Sequence, residues 1–296
     1  MKDAKHAAGV ETERALERRE EEQSYVPVIV KRQDEARRHP DDTLQLAILE
    51  GDEQLNRRTL SLALSAVAAG LILTFSVMAV AVVLEAAAEF GLGPASARIA
   101  AAFAYPLGFV VCIISGNELF TEHTATAVYP VLDGKAGVKR LLRLWSVVLA
   151  GNLVGGVLGA GLLMLAEPVV QGGPGYIAAG SHLLAFGSLT LFVSAILAGA
   201  LMALGAWLIL CTPPTVSQIV CIYLVTLLIG LGQLHHSIAG TIELAVFAAT
   251  AGGVSVAMAA RFLALVVCGN LVGGSLFVAA LNYAHIRHTR APERGG

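Results

Sequence analysis

Two adjacent histidines, His235 and His236, sit in LGQLHHSIAG (residues 231–240), inside a stretch with no Asp, Glu, Lys or Arg between Glu167 and Glu243. An ionisable side chain in such apolar surroundings is costly, and function is its default explanation. Imidazole gives and takes a proton near neutrality. His236 therefore has two available roles: handing on a proton, or donating a hydrogen bond. A second polar interruption, GNELFTEHT (residues 116–124), carries Glu118, Thr121, Glu122 and His123. Glu118 is expected to cap loop N–H groups, because backbone freed at membrane depth needs partners. Thr121 either gates through its hydroxyl or satisfies a loop amide. Glu122 and His123 form an ion pair or a solvated edge. His235 is expected to bond a neighbouring helix, since adjacent helical residues point about 100° apart and at most one of the two faces a pore. Asn152 and Asn270 are polar side chains inside apolar runs, suited to bridging helices or orienting a site.

The elements that must position these residues are membrane helices. The 296-residue chain is 56% hydrophobic and only 14% charged, against about 25% charged in an ordinary soluble domain; its mean hydropathy is +0.70. Residues 1–58 hold 25 of the 42 charged side chains. A helix crosses the bilayer with about 20 apolar residues, and six runs qualify: 59–84, 99–117, 144–166, 183–211, 216–234 and 262–284. Two apolar pieces, 124–132 and 238–251, are too short to span. Three segments follow: 1–58, a charged head, partly helical or disordered, with a charge-dense stretch at 11–23 and an amphipathic helix under the membrane carried by Leu44, Leu46, Ala47, Ile48 and Leu55; 59–285, the membrane domain; and 286–296, a tail. Lys and Arg crowd the head (Arg57, Arg58), the loop before the third run (Lys135, Lys139, Arg140, Arg143) and the tail (Arg287, Arg290, Arg294). The positive-inside rule puts both termini in the cytoplasm. No cleavable signal precedes the first run. The four cysteines share no metal-like spacing, and no basic stripe points to nucleic acid.

GNLVGG occurs twice, at residues 151–156 and 269–274. The first copy lies in the third span and the second in the sixth, and these spans run in opposite directions. The fold class expected is an all-α membrane protein of six helices in an inverted 3+3 repeat, with helices 2 and 5 broken at the two polar interruptions. Interrupted helices at corresponding places in two halves are the sequence pointer to a transport site.

Gly116-x-Glu118-Leu119-Phe120-Thr121, His236-Ser237-Ile238-Ala239 and the two GNLVGG copies resemble the formate/nitrite transporter family over roughly residues 60–283. The resemblance implies a homopentamer with one pore per aquaporin-like protomer, in a bacterial inner membrane, passing small monovalent anions such as formate, nitrite or hydrosulfide. It implies a constriction made by Leu119, Phe120 and Thr121, a central pore histidine at His236 and a polar neighbour at Asn270, with Asn152, Glu118 and Ser237 supporting. The chain departs from the family pattern at Gly199 and Gly240, where Asn is usual, at Glu122 and His123, and at Glu243, which adds a carboxylate to helix 5. Two other readings compete. An aquaporin-like channel for neutral solutes needs paired Asn-Pro-Ala caps, which are not in the sequence. A membrane metalloenzyme needs clustered ligands, and His123, His182, His235 and His236 do not supply that spacing. The expectation is a transporter without catalytic residues, metal or cofactor.

Overall fold

The computed structural model of the chain describes residues 37–288; the charge-dense stretch at 11–23, with Arg290 and Arg294, lies outside the described residues. Helix α1 (Pro40–Asn56) opens the described chain with Pro at its first turn and His39 as cap, Nδ1 accepting from the Asp41 N–H at 3.3 Å. Its apolar residues Leu44, Leu46, Ala47, Ile48 and Leu55 are all buried. They face protein, packing against the segments after the second span, and so do not lie on lipid as a surface helix would.

Six helical stretches are long and apolar enough to cross a membrane. α2 (Thr59–Glu89) continues through Glu85, where the sequence reading stopped it; a lone carboxylate does not break a helix, and the end comes at Gly91, whose φ of +65° closes the last turn. The second span is split into α3 (Pro94–Ala104) and α4 (Pro106–Ile114). Pro106 has no N–H to donate, and the Ser76 hydroxyl serves other backbone groups at the break: it donates to the Tyr105 carbonyl at 2.7 Å and accepts from the Gly108 N–H at 2.9 Å. After a non-helical stretch come the short α5 (Phe120–His123) and α6 (Tyr129–Leu132). The third span is α7 (Val138–Leu165), followed by α8 (Glu167–Val170) and α9 (Gly173–Leu184). The fourth span, α10 (Ser188–Cys211), begins five residues later than expected, because Gly187 separates it from α9. The fifth, α11 (Thr215–Gly232), ends at Gln233 in the left-handed region, and α12 (Ser237–Ala251) resumes after three residues. The sixth joins α13 (Val256–Val272), a wide π-turn segment (Gly273–Ala280) and α14 (Leu281–His288). It starts at Ser255, whose hydroxyl accepts from the Met258 N–H, earlier than the expected 262.

Glycine sets the closest helix approaches, and the approaches come in pairs. A Cβ on Gly151 would meet Ala66, and one on Gly155 would meet the Val67 carbonyl, locking α7 to α2. A Cβ on Gly269 would meet Ala195, and one on Gly273 the Ile196 carbonyl, locking the sixth span to α10. Such contact between backbones is how helices associate without a hydrophobic driving force. Outside, Leu64, Val157, Leu162, Leu197, Leu224 and Phe277 are left exposed, a surface suited to lipid or to neighbouring subunits. The chain is an integral membrane protein of six spans.

Candidate functional site

Two non-helical turns carry the site. In the first, the Phe120 N–H donates to Asn152 Oδ1 at 2.8 Å, and Asn152 Nδ2 donates to the carbonyls of Ala66 (2.8 Å) and Glu118 (2.9 Å). In the second, the Ser237 N–H donates to Asn270 Oδ1 at 2.8 Å, and Asn270 Nδ2 donates to the carbonyls of Ala195 (2.7 Å) and His235 (3.1 Å). Both asparagines are fully buried. Each amide ties one turn to a neighbouring span and satisfies backbone groups that no helix ladder reaches.

His236 joins the two turns. It caps α12, its Nδ1 accepting from the N–H groups of Ile238 and Ala239, both at 3.2 Å. Accepting two N–H bonds leaves no room for a proton on Nδ1, so the neutral ring carries its hydrogen on Nε2. Nε2 stands 2.9 Å from Thr121 Oγ1. The ring meets the edge of Phe109 at 5.1 Å between centroids and is 1% exposed. Leu119, Phe120 and Thr121 are all buried. On the other side lies a cavity of about 510 Å³ whose wall includes His236, Gly240, Tyr105, His182, Arg98 and Glu243.

Several expectations change at this level of detail. Among the described residues Glu118 caps no loop amide; Asn152 does that, and the Glu118 carboxylate pairs instead with Arg57 and His123. His123 therefore pairs with Glu118 rather than with Glu122, and its Nδ1 reaches Thr126 Oγ1 at 3.3 Å. Trp145 Nε1 donates to the His123 carbonyl at 2.9 Å, fixing the segment from α7. The histidine pair is not helical: His235 precedes the cap, bonds Ser194 (Nδ1 to Oγ, 2.8 Å) and lies parallel to His182 at 5.8 Å, away from Thr121. Ser237 is buried, with its Oγ unpartnered among the described residues.

The chain as a whole is similar to known membrane proteins. The sequence profile described as formate/nitrite transporter matches residues 41–284. This chain belongs to the formate/nitrite transporter family. The family is one of transporters and channels, not enzymes, and membership disfavours the aquaporin-like alternative. Among similar curated proteins, the inner membrane protein YfdC of Escherichia coli is 30% identical over 254 residues, covering 83% of this chain and 78% of the relative. A probable formate transporter of Methanothermobacter thermautotrophicus is 26% identical over 231 residues, covering 72% and 84%. Among solved structures, an FNT family ion channel has a TM-score of 0.75 at 20% identity, covering 83% of this chain and 99% of that one. A pentameric formate channel with formate bound has a TM-score of 0.65 at 23% identity, covering 78% and 98%.

Within this formate/nitrite transporter family member, sequence reasoning missed four residues around the site. Phe109 and Tyr105 carry no motif and are recruited by the Pro106 break. Arg57 stands 61 positions from Glu118, a separation at which spacing predicts nothing. Arg98 belongs to no motif, and only the cavity wall brings it near the site. Gly199, where Asn was the family expectation, has no space for one: its Cβ would fall on the Asn270 backbone.

Proposed function

We propose that the chain is a channel or transporter for small monovalent anions or their weak acids, of the formate, nitrite or hydrosulfide class, working as a homopentamer in a bacterial inner membrane. The observation that carries this reading is the Thr121–His236 bond, which joins the two turns at the floor of a cavity. On this reading the spans form an inverted repeat, supported by the matched asparagine bonds and glycine contacts, and helices 2 and 5 are broken at the turns. Leu119, Phe120 and Thr121 constrict the cytoplasmic side. Arg140 bonds Asn56 and Arg143 bonds the Leu55 and Arg57 carbonyls, which gathers the basic loop and α1 at one end, the cytoplasmic one by the positive-inside rule. The pentamer is taken from the solved neighbour and fits the exposed apolar flank.

The geometry favours one of the two roles open to His236. With Nδ1 committed to two backbone N–H groups, the ring is a fixed donor through Nε2–H. It offers a hydrogen bond, helped by the partial positive charge of the α12 N-terminus, and the solute crosses the constriction as the neutral acid, its desolvation far cheaper than the anion's. One proton moves with each anion.

Reconstituted vesicles assayed with formate, nitrite, hydrosulfide and glycerol test the reading. We expect flux of one or more weak acids with accompanying proton movement, and no glycerol flux. His236→Asn is expected to slow that flux at least about tenfold, the scale of a lost 1–2 kcal/mol interaction in the barrier. Glycerol flux alone, or a His236→Asn variant with unchanged rate and pH dependence, contradicts it.

A further inference from the structure

The cavity above His236 contains a carboxyl that nothing so far uses. Glu243 is 9% exposed and lines the cavity wall. Among the described residues it makes no hydrogen bond or ion pair. Buried carboxyls ordinarily find a partner, so an unpartnered one facing a cavity is available to whatever enters. Its placement is regular. His236, Gly240 and Glu243 fall at i, i+4 and i+7 along α12 and share one face. At 1.5 Å per residue, Glu243 stands about 10 Å from His236 along the helix axis. Gly240 between them has no side chain, so nothing from α12 itself screens one from the other.

The other charged and titratable groups of the cavity are few. Arg98 and Tyr105 come from the second span, His182 from α9 and His236 from the α12 cap. α2 contributes Val80 and Leu84, and α7 and α13 meet α12 at apolar contacts, Gly156 on Ile242 and Phe262 on Gly240. Arg98 is exposed. The wall therefore offers a cation at its exposed edge, an acid group within, and a neutral hydrogen-bond donor at the floor.

We propose that Glu243 is the proton-relay residue of this pathway, protonating a small anion in the cavity before the neutral acid reaches His236. The inference rests on the weak-acid reading above. In the step, the Glu243 O–H bond breaks and an O–H or S–H bond forms on the solute, which becomes neutral; the Glu243 carboxylate is reprotonated from cavity water, ultimately from the outer solution. One anion and one proton then cross together, with no net charge moved. The Nδ1 of His236 is already occupied as an acceptor.

The test compares the full-length protein with Glu243→Gln and Glu243→Asp in vesicles containing a pH indicator, with formate added outside at a series of pH values. Glu243→Gln is expected to slow formate-driven acidification of the lumen at least about tenfold and to flatten its pH profile. Glu243→Asp, which keeps the carboxyl, is expected to retain the wild-type profile. If Glu243→Gln is not monodisperse, Glu243→Leu, suited to an apolar wall, replaces it with the same expectations. A Glu243→Gln or Glu243→Leu rate and profile equal to wild type overturns the relay while the weak-acid reading stands. A faster rate overturns it in favour of a carboxylate that repels anions. If wild-type vesicles carry no weak acid at all, both proposals fall.

Discussion

The turn at 118–120 and the turn at 235–237 use the same hydrogen bonds for different ends. In each, a buried asparagine from a GNLVGG helix accepts from the N–H that opens the next helix and donates to two carbonyls. Around that common frame the chemistry diverges. The first turn is set in charge: Glu118 pairs with Arg57 and His123, and the segment that follows is held by Asp133 to Arg287 and, at 3.1 Å, to Lys135. The second turn has no ion pair among the described residues, and its histidines bond Ser194, Thr121 and α12 itself. The comparison separates what holds backbone at membrane depth, which both turns share, from what handles a solute. In our reading the solute-handling donor sits in the uncharged turn, where its Nε2–H is shared only with the Thr121 hydroxyl and no ion pair holds it.

The shared frame is broken most severely at the asparagines. Asn152→Ala and Asn270→Ala each delete three buried hydrogen bonds, about 1 kcal/mol apiece or more when groups are left unpaired. Each is expected to cost about 3 kcal/mol, and the two losses should be alike, as read from unfolding in detergent. Markedly unequal losses would show that the two frames are not equivalent. The charged setting is sharpened by Glu118→Gln, which weakens the bonds to Arg57 and His123 in the first turn alone. Because Arg57 is partly exposed, a loss of about 2 kcal/mol is expected, below the 3–5 kcal/mol of a fully buried pair. The second turn should keep its function-linked geometry, seen as unchanged protection of the α12 amides from hydrogen exchange.

The smallest effect belongs to Asp133. Partial burial raises its carboxyl, but its bonds to Lys135 and Arg287 outweigh that and hold it below the ordinary carboxylate range. A carboxyl held low stabilises the fold above its unfolded value, near 3.9, and that contribution is lost as pH falls through the folded value. Asp133→Asn should therefore cost under about 1 kcal/mol at neutral pH, as exposed pairs do, and the gap from wild type should close below about pH 4. A gap that persists in acid would assign the loss to something other than charge.

Much of this arrangement is legible in the chain. The GNLVGG copies mark the asparagines, and the polar interruptions mark both turns, because residues so costly in an apolar run need a reason to be there. The spans are legible too, with ends displaced where caps rather than hydropathy decide, as at Gly91, Gly187 and Ser255. What is not legible depends on approach in three dimensions. Nothing in the order of residues says that Asn152 rather than Glu118 serves the loop amide, that Arg57 reaches Glu118, or that Phe109 is set against His236 by the Pro106 break. α9 is hidden for another reason: it is apolar and runs into α10 with only Ala185, Phe186 and Gly187 between them.

The central claim is that the two turns meet in one solute passage at Thr121 and His236. It is tested most directly by replacing the four native cysteines, introducing Thr121→Cys, and measuring weak-acid flux before and after complete reaction with a small thiol reagent. The account predicts that transport-competent vesicles lose most of their flux on labelling and regain it when the adduct is reduced. Full labelling with flux unchanged would place Thr121 outside the passage and contradict the account.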